Sequence, residues 1–198
     1  MNVEGIGHIS EAENAADSLG KFRLVSVNHI QRIMKKLPLK QSPADVLPLK
    51  MTQNQQSVCG VLTRIVNASL ENGVFSESLK ISYVTPVLKK VNLDTEDLAN
   101  FRPVTNVSFI SKIVESVVAS QLTEHLEKIS YLHVSQSAYR RFYSTETALL
   151  RVTSDWRRYL AENNMVCVVS LDVSAAFSTI SHSRLMNKLP DAQVTGVA

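Results

Sequence analysis

The chain has 198 residues with 44% hydrophobic and 20% charged residues, enough apolar material to bury a core. Six Gly and six Pro exclude a collagen-like or low-complexity chain. A formal charge of +3 suits a nucleic-acid partner without demanding one, and no apolar run approaches the length of a membrane span or a secretory signal.

In chain order, residues 1–24 mix Glu, Asn, Ser and Gly without periodicity and are expected to be a flexible lead-in. Over 27–37 the spacing of Ile30, Ile33, Met34 and Leu37 predicts a helix with Arg32, Lys35 and Lys36 off its apolar face. Pro38, Pro43 and Pro48 then punctuate a linker. Val58, Val61, Leu62, Ile65, Val66 and Leu70 predict a second amphipathic helix, which Gly73 closes. Asn67-Ala-Ser69 fits the glycosylation pattern, but without a secretory route it is incidental.

Residues 81–88 are β-branched and aromatic and predict a strand, which Pro86 marks as an edge. Asp94–Asp97 is expected to be an acidic surface loop. Ser108 caps a helix whose stripe is Ile110, Ile113, Val114, Val117, Val118, Leu122, Leu126 and Ile129. Ser144 caps another, with Glu146 in its first turn and Ala148, Leu149, Val152, Trp156, Tyr159 and Leu160 facing inward. The short run Met165–Leu171, rich in valine, predicts a strand buried on both faces. Cys59 and Cys167 lie far apart in apolar surroundings and are expected to be buried, reduced thiols.

Three features bear on chemistry. Asp172, at the end of the predicted buried strand, is placed to hold a divalent cation; the same residue also suits a cap for the segment that follows. Lys89, Lys90 and Arg102 suit phosphate oxygens, or are exposed charges beside a loop. From Gln136 to Thr147, basic residues alternate with aromatics before a helix N-terminus, which suits a nucleic-acid backbone and equally an ordinary loop-to-helix junction.

Taken together, seven strings resemble the reverse transcriptase domain of LINE-type (non-LTR, Jockey-like) retrotransposons. They begin at Asn72-Gly-Val-Phe75, Thr85-Pro-Val-Leu, Leu98-Ala-Asn-Phe-Arg-Pro103, Ser111-Lys-Ile-Val, Gln136-Ser-Ala-Tyr-Arg140, Ser144-Thr-Glu-Thr and Leu171-Asp-Val-Ser-Ala-Ala-Phe177. They run in the family's order from about His29 to Leu189, and the tail from Pro190 to Ala198 does not continue the pattern.

The resemblance implies an α+β fold. Mostly helical fingers would occupy about 28–163 and the first strand and helix of the palm about 164–198, behind a lead-in over 1–27. It implies RNA-directed DNA polymerase (nucleotidyltransferase) chemistry inside the cell, in nucleus or cytoplasm. An RNA template, a DNA primer and deoxynucleoside triphosphates would be the partners, with Mg²⁺ in the complete enzyme.

By position, Asp172 would be the first catalytic, metal-binding carboxylate with the Val173 carbonyl beside it. Phe177 would be the aromatic that excludes a ribose 2′-hydroxyl, and it is also a candidate core aromatic. Arg102 and Lys89 would contact the triphosphate, and Gln136 and Arg140 would border the template and the nucleotide pocket.

Two departures stand out. Ser178 and Ser181 replace family aspartates, and no Phe/Tyr-Ala-Asp-Asp box occurs in these residues. One carboxylate cannot hold two metal ions, so the isolated chain is expected to be inactive as a polymerase. The competing expectations are a non-catalytic nucleic-acid-binding remnant and an unstable product of a degenerate element.

Overall fold

The computed structural model describes residues 18–39, 42–45, 47–52, 54–173, 176–196 and 198. The chain divides into two compact units. One holds the described residues of Met1–His125 with Gln193–Ala198, and the other is Leu126–Ala192. Helices and one small sheet make a mixed, α+β-compatible content.

In the first unit, α1 (Val27–Lys36) starts where the Ser26 hydroxyl accepts the His29 N–H at 3.3 Å, and it ends before Pro38. After the short α2 (Leu49–Thr52) comes α3 (Gln56–Asn72), closed by Gly73 at φ 61°. That left-handed turn is where a side chain would be strained and glycine is not. Ile30 and Met34 of α1 meet Cys59, Leu62, Val66 and Leu70 of α3, with Met34 Sδ 3.8 Å from Cys59 Sγ. The third wall is α5 (Phe109–Lys128), which contributes Phe109, Ile113, Val114 and Val117.

The helices occur where periodicity predicts them, but two packed faces are turned. On α3 the buried row is Cys59, Leu62, Thr63, Val66 and Leu70, leaving the expected Val61 and Ile65 exposed. An apolar arc wider than one packing stripe cannot all be covered by two neighbours. The remainder lines an apolar cleft of about 540 Å³ with Val58, Phe109 and Ile110. On the C-terminal half of α5 the buried positions are Gln121 and His125 rather than the expected Leu122 and Leu126.

Gln121 is buried because it serves the backbone. Its Oε1 accepts the Arg23 N–H at 2.7 Å and its Nε2 donates to the Arg23 carbonyl at 2.9 Å. Asn67 does the same for Val25, at 2.9 and 3.0 Å. Two side-chain amides thus replace a neighbouring strand for residues 23 and 25. Of the expected lead-in 1–27, residues 1–17 lie outside the described residues. From 18 on, Leu19 also bridges Val194, and Phe22 and Val25 join the core.

After the short α4 (Glu77–Lys80), β1 (Ser82–Leu88) pairs antiparallel with β2 (Phe101–Val107) in a two-stranded ribbon. The strand predicted over 81–88 is present; β2, inside the Asn-Phe-Arg-Pro string, was not predicted. The Lys89 N–H bonds the Asn100 carbonyl at 2.8 Å, and alternation from that pair makes Pro86 and Pro103, directly opposite, a non-hydrogen-bonded pair. Neither proline therefore removes a ladder bond, and each blocks the outer edge of its own strand. Between the strands the expected acidic loop is exposed, and the Asp97 carboxylate caps a single 3-10 turn, Leu98–Asn100.

The N-terminus of α5 is tied down twice. The Ser108 hydroxyl accepts from Ser111 N–H at 3.1 Å, as expected, and the Asp45 carboxylate accepts from Phe109 N–H at 2.8 Å.

The second unit contains α6 (Thr145–Ala161), α7 (Ala176–Thr179) and α8 (His182–Lys188). Ser144 and Thr147 exchange hydrogen bonds of 3.2 and 2.9 Å in a capping box, as the Ser144 cap predicts. The expected inward face of α6 is not buried: Leu149, Val152, Tyr159 and Leu160 are exposed. Among the described residues of this unit only Ala192 is buried.

The largest correction falls on 165–171. This run is neither a strand nor buried: Met165 is 99% exposed and Leu171 91%. Cys167 is accordingly exposed, against expectation, whereas Cys59 is buried as expected. A strand exists only where another backbone takes its N–H and C=O groups, and among the described residues of this unit none does. Among the described residues no helix is long and apolar enough to cross a membrane.

Candidate active site

The candidate residues fall into three local groups. On the ribbon, strand alternation puts Tyr83, Thr85, Val87 and Lys89 on one face with Arg102, Val104 and Asn106. Arg102 sits opposite Val87, so Lys89 is its diagonal neighbour across the ladder, within reach of one small anion. Both side chains are exposed. The Lys89 ammonium donates to the Ala99 carbonyl at 2.7 Å, which orients it without neutralising it. Among the described residues Arg102 has no ion pair. Two exposed cations on one face of a ribbon are the kind of pair that phosphate oxygens can bind.

Gln136 and Arg140 share one loop of the second unit. The Arg140 Nη1 donates at 3.4 Å to the carbonyls of both His133 and Gln136, and the Gln136 amide donates to the Ala138 carbonyl at 3.3 Å. The guanidinium stacks 4.8 Å from the Tyr143 ring centre, and Arg141 stacks equally over Phe142. The loop is held at positive φ at Tyr139 (60°) and Phe142 (66°), uncommon for aromatic residues.

A cleft of about 500 Å³ opens here, walled by Glu127, Tyr131, His133, Arg140 and Tyr143, and the buried Arg140 Nε has no hydrogen-bond partner. Tyr131 and His133 were not singled out in the sequence, because they precede the Gln-Ser-Ala-Tyr-Arg string and only the loop's return brings them to Arg140. Just beyond, the Ser144 hydroxyl holds the Glu146 carboxyl below its ordinary range.

Asp172, Val173 and Phe177 are neighbours in sequence and are all exposed. Asp172 lies on irregular chain, not at the end of a buried strand, and its Oδ1 accepts the Val173 N–H at 2.8 Å. Phe177 on α7 is 80% exposed, so it is not the core aromatic that the sequence also allowed. Ser174 and Ala175 of this string lie outside the described residues. Among the described residues no three His, Cys, Asp or Glu side chains group so as to hold a metal ion.

The sequence model of the family described as "Reverse transcriptase (RNA-dependent DNA polymerase)" matches residues 88–196. The match runs past Leu189 into the tail, beyond the last of the seven strings. Three curated relatives are similar to this chain. The "Probable RNA-directed DNA polymerase from transposon BS" of Drosophila melanogaster is 25% identical over 167 residues, 83% of this chain and 18% of the relative. The "RNA-directed DNA polymerase from mobile element jockey" of the same fly is 23% identical over 168 residues, again 83% and 18%. The "Retrovirus-related Pol polyprotein from type-1 retrotransposable element R2" of Popillia japonica is 31% identical over 96 residues, 48% of this chain and 13% of the relative. The chain thus spans less than a fifth of the length of these relatives.

Proposed function

Because the chain belongs to the reverse transcriptase (RNA-dependent DNA polymerase) family, we propose that it forms the fingers and the first edge of the palm of a non-LTR retrotransposon polymerase. Fingers extend over about 28–163 and the start of the palm over 164–198. The complete enzyme, working in nucleus or cytoplasm, copies an RNA template onto a DNA primer with deoxynucleoside triphosphates.

The observation that carries this reading is the ribbon. Lys89 and Arg102 share one exposed face, and no carboxylate pairs with Arg102 among the described residues. Arg102 offers a planar fork that binds two phosphate oxygens at once, and Lys89 offers a point charge beside it. The loop carrying Gln136 and Arg140 borders the template and the nucleotide. Phe177, freely exposed, acts on the sugar by bulk, and the Val173 carbonyl lies beside Asp172.

Asp172 is the one acidic residue of this reading. A hard cation takes about six oxygens, and a pair of Mg²⁺ ions needs carboxylates from more than one element. A single exposed carboxylate that already accepts the Val173 N–H does not fit such a pair. On this reading the 198-residue chain alone extends no primer.

The test is primer extension on an RNA template with purified chain and Mg²⁺, beside an Asp172→Ala variant. No extension by either is expected. Extension that the variant loses would refute the proposed inactivity. A second reading, binding of nucleic acid without catalysis, is favoured by the same exposed cations. Its expected signature is affinity for single-stranded RNA that falls steeply with salt and weakens in Arg102→Ala. Binding indifferent to both salt and the substitution would exclude it.

A further inference from the structure

The loop before α6 holds a pair of residues to which no role has been given. Phe142 has φ 66°, a left-handed backbone that glycine adopts freely and an aromatic residue adopts at a cost. Its ring is 87% exposed, so neither the backbone nor a core accounts for a phenylalanine there. Strain kept at an exposed side chain points to what that side chain touches. The Arg141 guanidinium lies 4.8 Å from the Phe142 ring centre, and among the described residues Arg141 has no ion pair. Tyr139 shares the left-handed backbone, at φ 60°, and the exposure, but among the described residues no cation lies over its ring.

Arg140 is placed differently from Arg141. It is partly buried, and its Nη1 is engaged by the carbonyls of His133 and Gln136. Its guanidinium lies over the Tyr143 ring, and its Nε is buried, where a phosphate reaches it only if the loop opens. Of two consecutive arginines, one is turned into the loop and the other out of it.

The charge around the pair selects its partner. From residue 128 to 145 there is no Asp or Glu, while Lys128, Arg140 and Arg141 are basic. An apolar protein surface over Phe142 would desolvate Arg141 without supplying a counter-charge, which is costly. A nucleic-acid strand supplies both needs at once, a base face for the ring and a phosphate for the guanidinium. An unpaired base offers its open face, so the strand is single.

We propose that Arg141 and Phe142 clamp one nucleotide of a single-stranded RNA, the ring stacking on the base and the guanidinium holding the phosphate. Arg140 is then a positioning residue that braces the loop from within. The proposal rests on the reading that this loop borders a template, and it names the residues that touch it.

The experiment is fluorescence anisotropy of the full chain with a labelled, mixed-sequence single-stranded RNA, between about 50 and 200 mM salt. Phe142→Gly is expected to weaken binding about five- to hundredfold. It should leave the urea midpoint unchanged or raised, because glycine relieves the left-handed backbone; a residue kept for folding alone would do the reverse. Arg141→Gln is expected to lower the slope of log affinity against log salt by about 0.7. Arg140→Gln should keep that slope and instead speed exchange of the Gln136 backbone amide, which bonds the same His133 carbonyl. RNA carrying thiouridine is expected to photo-cross-link at Phe142.

Salt-dependent binding that Arg102→Ala weakens, but that Phe142→Gly and Arg141→Gln leave unchanged, would overturn the clamp and leave the earlier reading standing. A slope lowered by Arg140→Gln and not by Arg141→Gln would overturn the division of roles. An equal loss on duplex RNA in Phe142→Gly, or cross-links that spare Phe142, would overturn the stacking. Absence of any salt-dependent binding would overturn the clamp together with the reading on which it rests.

Discussion

The amide clamps on residues 23 and 25 give a prediction whose size follows from the geometry. Gln121→Ala removes two hydrogen bonds to Arg23, of 2.7 and 2.9 Å, and leaves a partly buried N–H and C=O without their partner. At about 0.5–1.5 kcal/mol net per bond, the loss is about 1–3 kcal/mol. The nearby Arg23–Glu124 ion pair does not rescue it, because both side chains are largely exposed and such pairs contribute under about 1 kcal/mol. Asn67→Ala removes the corresponding pair at Val25 and costs a similar amount.

For a chain of this size, about 2 kcal/mol lowers Tm by roughly 4–8 °C. The double variant is expected to lose at least about 0.5 kcal/mol less than the sum, because a segment released at one clamp no longer benefits from the other. The assay is urea unfolding followed by circular dichroism, together with hydrogen exchange of the Arg23 and Val25 amides. Losses below about 0.5 kcal/mol with unchanged exchange at those amides would refute the clamp.

Three further outcomes follow from the first unit. Ile113→Ala, at a fully buried core position on α5, is expected to lose about 2–5 kcal/mol in the same urea titration. Gly196→Ala is expected to destabilise by about 1–2 kcal/mol and to expose the Leu19 amide to exchange: φ there is 70°, and a Cβ would lie 2.8 Å from the Gly20 carbonyl oxygen. Glu115 borders a small apolar cleft with Phe22, Leu70 and Val118, and burial there raises its carboxyl above the ordinary 4.5 although Lys112 opposes the shift. A raised carboxyl means that the folded state holds its proton more tightly, so stability falls as pH rises from the ordinary value through the raised one. Glu115→Gln removes that loss: its Tm should equal the parent's near the acid limit and exceed it at neutral pH, and a constant difference across the range would refute the assignment.

Much of this chain is written locally. The helices α1, α3, α5 and α6 could be placed from apolar spacing, and three of their ends from Gly73, Ser108 and Ser144, because a helix takes its hydrogen bonds from residues four apart. The family strings were legible for a related reason: they are words in the sequence and need no partner. Packing partners are not local. Which arc of α3 is covered depends on where α1 and α5 lie, and so Cys59 faces inward while Val61 does not. Gln121 and Asn67 read as ordinary polar residues until Arg23 and Val25 run past them. The ribbon face that joins Lys89 to Arg102 exists only once β2 pairs with β1 across the intervening loop. Met165–Leu171 is the limiting case: its composition specifies strand-forming residues, but a strand requires a second backbone, and none pairs with it among the described residues.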